Sequence, residues 1–163
     1  MQTVKTSVES SLPLDEFVAF CRSAEARRCW PGVTEVPFQG GGFFYTQTLK
    51  PPWTRKGGTL KIEEHQRNCE LDPSGVSFES MAVWVWPSQD TGTSWLKYRF
   101  EDDGEGSILH FTLHYVLPVG TGRRLTRGSE LTASMERTVQ RYLDCLARGG
   151  KDRQASEAAT TPI

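Results

Sequence analysis

What this chain lacks narrows it first. No apolar run approaches the roughly 20 residues of a membrane-spanning helix, and the opening Met1-Gln2-Thr3-Val4-Lys5-Thr6 has no apolar signal core. Neither sign of charge dominates: 19 Lys and Arg stand against 20 Asp and Glu, a net charge of −1. Nucleic-acid binding through a basic face therefore has no support. The four cysteines, Cys21, Cys29, Cys69 and Cys145, form no C-x-x-C pair, which argues against a metal site. Their scatter reads as reduced thiols, small buried hydrophobes of a cytoplasmic protein. Glycine clusters once, at Gln39-Gly40-Gly41-Gly42. The strand-like Phe43-Phe44-Tyr45-Thr46 follows it, so the helix N-terminus of a phosphate cradle is missing and a hairpin turn is expected.

What is present is an informative order of segments. With 163 residues the chain is long enough for one domain with a real core, set here at 1–148. A strand pattern at Gln2–Glu9 comes first. Pro13 suits the first turn of a helix, Asp15 and Glu16 favour its positive end, and Leu14, Phe17, Val18 and Cys21 share a face. A second short helix is expected at Ala24–Arg28, stopped by Pro31-Gly32. Strands follow at Gly42–Leu49, Thr59–Gln66, Val76–Trp86, Thr93–Glu101 and Ser107–Leu117, joined by short turns such as Asp72-Pro73-Ser74-Gly75, which predicts antiparallel pairing throughout. One long helix, Thr121–Arg148, closes the fold. Lys151–Ile163 has no pattern, so residues 149–163 are expected to be a disordered tail. The fold class is α+β: a curved antiparallel sheet with only one long helix to cover its buried face. Such a pairing leaves a space between sheet and helix, the usual place for a ligand.

Alternation assigns faces. Tyr45 and Gln47 point inward, as do Leu60, Ile62, Glu64 and Gln66, then Leu96, Tyr98 and Phe100, then Leu109, Phe111, Leu113, Tyr115 and Leu117. His110 and His114 share the opposite face. They sit about 13 Å apart at ~3.3 Å per residue, so they cannot share a metal. In Val76–Trp86 either the row Phe78, Ser80, Ala82, Trp84, Trp86 or the row Glu79, Met81, Val83, Val85 is buried. If Trp84 turned outward beside Trp95, the pair would make an apolar surface patch. In the closing helix Leu131, Met135, Thr138, Val139, Tyr142, Leu143 and Leu146 form one stripe. Arg123, Arg124 and Arg127 near its start could attract an anionic head group or simply be solvated. The expected ligand contacts are Tyr45, Gln47, Leu60, Ile62, Trp84, Trp86, Phe100, Phe111, Leu113, Met135, Thr138 and Tyr142. Glu64 is the one inward carboxylate. Without a partner it would favour its neutral form and could act as an acid or base; at a strand end it would be solvated and idle. Glu64 and Tyr98 are the candidate catalytic pair.

The segment order resembles the helix-grip fold of the START-like (SRPBCC, Bet v 1-like) superfamily. Leu12-Pro13-Leu14-Asp15-Glu16-Phe17-Val18-Ala19-Phe20 resembles its opening helix, and Trp30-Pro31-Gly32-Val33 the turn before its second strand. Val119-Gly120-Thr121-Gly122-Arg123-Arg124-Leu125 and the long helix ending Tyr142-Leu143 resemble its closing segment. The resemblance covers residues 2–148, and polyketide cyclase/dehydrase-like members are nearest in size. It implies a pocket for a lipid, isoprenoid or polyketide-like molecule, with neither cofactor nor metal. A cyclase's pocket arginine has no match; Arg99 is nearest, and alternation turns it outward. Three functions are open: a carrier of a hydrophobic small molecule, a cyclase or aromatase, and an interaction module of the Hsp90-activator type using Trp84 and Trp95. Nucleic acid and stable membrane insertion are not expected, and the choice between monomer and homodimer stays open.

Overall fold

A computed structural model describes residues 1–34, 36, 38–39, 42–50, 53, 57–117 and 128–151. Strand β1 (Gln2–Ser10) is followed by helices α1 (Leu14–Cys21) and α2 (Ala24–Arg27). Then come β2 (Phe38–Gln39), β3 (Gly42–Leu49), β4 (Gly58–Asp72), β5 (Gly75–Val85), β6 (Thr91–Asp102), β7 (Ser107–Val116) and the helix α3 (Gly128–Ala147). The strands form one curved antiparallel sheet in the order β1-β7-β6-β5-β4-β3-β2. The first strand lies against the last because a meander from β2 to β7 leaves β7 with a free edge. This is the expected helix-grip arrangement. Among the described residues no helix is long and apolar enough to cross a membrane.

Local signals act where the residues demand them. Pro13 precedes the first turn of α1, and the Ser23 hydroxyl caps α2 by accepting from the Ala26 amide at 3.2 Å. Gln39 pairs with Gly42 across the predicted hairpin; Gly40 and Gly41 lie outside the described residues. β4 continues past Gln66 to Asp72 because a register shift between Arg67 and Glu70 absorbs the break, with Asn68 in a left-handed conformation. Beyond the shift the strand is exposed, and the predicted Asp72–Gly75 turn closes it.

The concave face is packed over Tyr98, Phe100 and Phe111 of β6 and β7. Phe17 of α1 meets Phe100 edge-on at 5.3 Å, Phe78 stacks on Tyr98 at 4.3 Å, and Phe111 meets Tyr142 of α3 at 5.9 Å. α3 buries Leu131, Met135, Val139, Tyr142, Leu143 and Leu146, the predicted stripe apart from half-buried Thr138. Its end is tied to β1: the Ser10 hydroxyl donates to the Ala147 carbonyl at 2.5 Å. The arginine cluster Arg123, Arg124, Arg127 and the tail 152–163 lie outside the described residues.

One expectation is corrected here, and one open alternative is decided. The cysteines are not all free: Cys29 and Cys145 form a disulfide, with Cα atoms 5.5 Å apart, while buried Cys21 and exposed Cys69 are free. Short-range spacing does not register a pair separated by 116 residues. The reading of scattered reduced thiols falls, and cytoplasmic placement loses that support. The Trp84–Trp95 patch does not form either. Trp84 shares the inward phase of Phe78, Ser80 and Ala82 and lies beside Trp86 and Tyr115, whereas Trp95 is on the other face, across from Met81 and His114.

Candidate functional site

A cavity of about 770 Å³ opens between the concave sides of β3, β4 and β5, the segment after α2, and α3. β3 contributes Tyr45 and Gln47, β4 contributes Leu60, Ile62 and Glu64, and β5 contributes Ala82 and Trp84, with Trp86 just beyond it. The opposite wall is Met135 and Thr138 of α3 with Trp30 and Val33. The segment after α2 is held close to β3. Gly32 has φ +86°, and a Cβ there would stand 2.9 Å from the Thr48 carbonyl oxygen, so this approach requires glycine. The Gln47 side-chain amide donates to the Pro31 carbonyl at 2.7 Å. Trp53 reaches α3, donating from its indole N–H to the Ser134 hydroxyl at 3.0 Å.

One end of the cavity is polar. Glu64 is 1% exposed, so neither sequence expectation holds: it is not solvated, and it is not alone. Arg27, 0% exposed, donates from Nη1 to Glu64 Oε2 at 2.8 Å. The Tyr45 hydroxyl donates to Glu64 Oε1 at 2.6 Å. Arg27 Nη2 also donates to the Cys21 carbonyl at 2.6 Å and to the Tyr142 hydroxyl at 3.0 Å, and Tyr142 and Tyr98 share a hydrogen bond of 2.7 Å. The guanidinium lies over the Phe43 ring at 5.3 Å. Burial opposes the charge of Arg27 more than any other single cause, but the Glu64 carboxylate together with Tyr142, Tyr98 and Tyr45 outweighs it, and the guanidinium pKa moves well above its ordinary value. Burial, then the negative Glu64, push the Tyr45 phenol well up. Burial does the same to Tyr98 and Tyr142. With both oxygens of Glu64 accepting hydrogen bonds, this carboxylate is first an anchor for a buried cation.

Ten of the fourteen residues named from the sequence line the cavity: Tyr45, Gln47, Leu60, Ile62, Glu64, Trp84, Trp86, Leu113, Met135 and Thr138. Tyr98, Phe100, Phe111 and Tyr142 do not. They are fully buried in the packed half, where α1 and α3 already occupy the space above them. Tyr98 therefore acts on the site only through Tyr142. The sequence reading missed Arg27, Trp30 and Ser94, and it turned Leu96 inward without naming it as a ligand contact. Arg27 sits on a helix of a single turn, too short to show a periodic face. Trp30 stacks flat on Tyr142 at 3.7 Å, a contact that no alternation pattern encodes. Two lining residues carry buried polar atoms with no partner among the described residues, the Trp86 indole N–H and the Ser94 hydroxyl. Such atoms cost about 1–3 kcal/mol each when unpaired, which an acceptor within the cavity would offset. His110 and His114 are on the convex face as alternation required: His110 Nε2 donates to the Glu101 carboxylate at 3.2 Å, and His114 Nδ1 shares a hydrogen bond with the Thr3 hydroxyl at 2.9 Å.

Searches by sequence return nothing: no family model matches the chain, and no curated protein does. Solved structures do. A conserved protein from Geobacillus kaustophilus superposes with a TM-score of 0.65 at 10% identity, over 90% of this chain and 95% of that one. Ara h 8.0201 superposes with a TM-score of 0.56 at 11% identity, over 90% and 95%. The chain has the Bet v 1-like helix-grip fold. The same fold is found in the di-domain ARO/CYC StfQ from the steffimycin biosynthetic pathway, with a TM-score of 0.57 at 12% identity, over 94% of this chain and 52% of that one. At these identities the likeness speaks for the Bet v 1-like fold alone.

Proposed function

We propose that this protein binds a hydrophobic small molecule, lipid, isoprenoid or polyketide-like, within residues 1–148. The observation that carries the reading is the cavity itself. Its volume of about 770 Å³ lies within the range of roughly 300–1,000 Å³ common to small-molecule sites. Its walls include Leu60, Ile62, Trp84, Trp86 and Leu113, with polar side chains such as Gln47, Glu64, Ser94 and Thr138 among them, the pattern that holds an apolar body and fixes its orientation. Native mass spectrometry of the purified protein would name a co-purifying ligand. Fluorescence of N-phenyl-1-naphthylamine tests the cavity directly. The probe should brighten in the wild-type protein and brighten less in a Thr138→Trp variant that narrows the space. Equal brightening in both would sink the proposal.

A second reading, aromatase or cyclase chemistry in the same cavity, rests on the Tyr45–Glu64 pair on its wall and on the likeness to the ARO/CYC StfQ. There the cavity would hold a reactive chain in a productive fold, and Tyr45 would be the group that meets the substrate's oxygen. Tyr45→Phe removes that hydroxyl while keeping the ring. An enzyme using it should lose roughly a hundredfold or more in turnover with its ligand still bound. Unchanged turnover would exclude Tyr45 from the chemistry, and no turnover in the wild-type protein would leave the carrier.

A further inference from the structure

We infer that the ligand carries an uncharged acceptor oxygen, a ketone or ester carbonyl, held within the cavity by the Trp86 indole N–H and the Ser94 hydroxyl. This rests on the binding function proposed above and deepens it. Trp86 is 4% exposed and Ser94 1%, and both stand on the cavity wall. Among the described residues neither the indole N–H nor the hydroxyl has a hydrogen-bond partner. Both belong to the same end of the sheet. Ser94 faces Ala82 across β5 and β6, Trp84 is the next inward residue of β5, and Trp86 follows just past the strand. The Trp84 and Trp86 rings are 5.8 Å apart. The backbone fixes Trp86 there: its N–H donates to the Asp90 carbonyl at 2.9 Å, closing the turn that leads into β6.

The groups around these donors favour an uncharged acceptor. The hydroxyl of Tyr115, across β6 and β7 from Ser94, is already engaged with Thr132 of α3. Glu64 lies two strands from Ser94 with only Ala82 between them, and both its oxygens already accept, from Tyr45 and from Arg27. A ligand carboxylate at Ser94 would therefore face the Glu64 carboxylate over one small side chain. It would also lose its hydration beside Trp84, Leu96 and Leu113. A carbonyl oxygen has two lone pairs, one for each donor, and costs less to dehydrate than a charged group. A pure hydrocarbon would fill the space and leave both donors unmet.

The test uses benzophenone and diphenylmethane, which have nearly the same shape and differ in the carbonyl or methylene between their rings. Each is titrated against bound N-phenyl-1-naphthylamine. The readout is the ratio of their half-displacement concentrations, in which any change in probe affinity cancels. In Trp86→Phe, and separately in Ser94→Ala, that ratio should move about three- to tenfold toward diphenylmethane relative to the wild-type protein, as loss of one hydrogen bond requires. Ser94→Ala removes a single oxygen and keeps the test open if Trp86→Phe does not fold. Ser80→Ala should leave the ratio as it was, because the Ser80 hydroxyl is also buried and unpartnered among the described residues but is not on the cavity wall. If only one of the two wall variants shifts the ratio, the inference holds and that side chain is the one that holds the oxygen. If neither does, if Ser80→Ala shifts it as much, or if benzophenone does not displace the probe from wild-type protein, the carbonyl is wrong while the cavity stands. If the probe itself fails to bind wild-type protein, the binding function fails and this inference falls with it.

Discussion

Over Tyr98, Phe100 and Phe111 of β6 and β7 the concave face is filled; over β3, β4 and the end of β5 it is hollow, and the hollow reaches Ser94, Leu96 and Leu113. The difference does not lie in the size of the inward side chains, because Tyr98, Phe100 and Phe111 on one side are matched by Tyr45, Ile62 and Trp84 on the other. It lies in what covers them. On the packed side α1 drives Phe17 onto Phe100 and α3 brings Tyr142 to Phe111. On the hollow side the cover is a one-turn helix, the segment around Gly32 held to β3, and Trp53 reaching over to Ser134. A helix supplies a row of side chains that enter the sheet's grooves, whereas these short segments bridge across and leave a space. Arg27 and Glu64 stand at the border between the two regions.

The border is where the comparison breaks most easily. Arg27→Met leaves Glu64 buried without its cation and should cost about 3–5 kcal/mol in urea unfolding. Adding Glu64→Leu removes the stranded charge and should recover most of that loss. A single-variant cost below about 1 kcal/mol would show that water reaches the pair. Glu64→Gln strands the arginine in the same way, so any loss of activity in that variant must be read beside its stability.

Between the halves, the contrast is between truncation and filling. Phe111→Ala, in the packed half, should cost about 3–5 kcal/mol. Ala82→Leu, on the cavity wall, should cost less than the 1–3 kcal/mol typical of adding bulk to a close-packed core, and it should weaken probe binding. A full overpacking penalty at Ala82 would mean that the hollow half is closed in solution.

A gentler handle is alkaline pH. All four tyrosines of the chain, Tyr45, Tyr98, Tyr115 and Tyr142, have pKa values raised above the ordinary 10.0, with burial the largest cause in each case. Below pH 10 folded and unfolded chains both keep these protons, and the contribution is complete. Above it the unfolded chain releases protons that the folded one retains, so stability should fall steadily as pH rises. Phenolate absorbance should appear together with loss of circular dichroism. Phenolate forming while the fold persists would place the tyrosines in contact with water. The smallest effect is expected on the convex face: His110→Gln with His114→Gln should change stability by no more than about 0.5 kcal/mol and leave probe binding as it was.

Alternation along the strands carried the inward rows from Tyr45 to Leu113, and with them most of the cavity wall. It worked because each of those residues belongs to a strand long enough to show its period. It failed where position depends on cover. Nothing in the spacing of Tyr98, Phe100 and Phe111 says that Phe17 and Tyr142 will fill the space above them. Arg27 was invisible for a related reason: one turn of helix has no face, and a lone arginine after Glu25 and Ala26 looks like a solvated side chain. The Cys29–Cys145 link joins residues too distant in sequence for spacing to relate them.

The pairing of β1 with β7 reaches beyond the folded state. Gln2 lies opposite Tyr115 and Ser10 opposite Ser107, and among the described residues β7 is the only strand that pairs with β1. A ribosome releases β1 first and its partner only after nearly all of the sheet has been made. Until then Val4 and Val8 belong to a strand with no neighbour, and β2 to β6 can pair as local hairpins without it. The last docking event closes a loop of about a hundred residues, the kind of long-range step that slows folding. Of the described strands, the first to be synthesised is thus the last to find its place, and through Ser10 it then receives the end of α3.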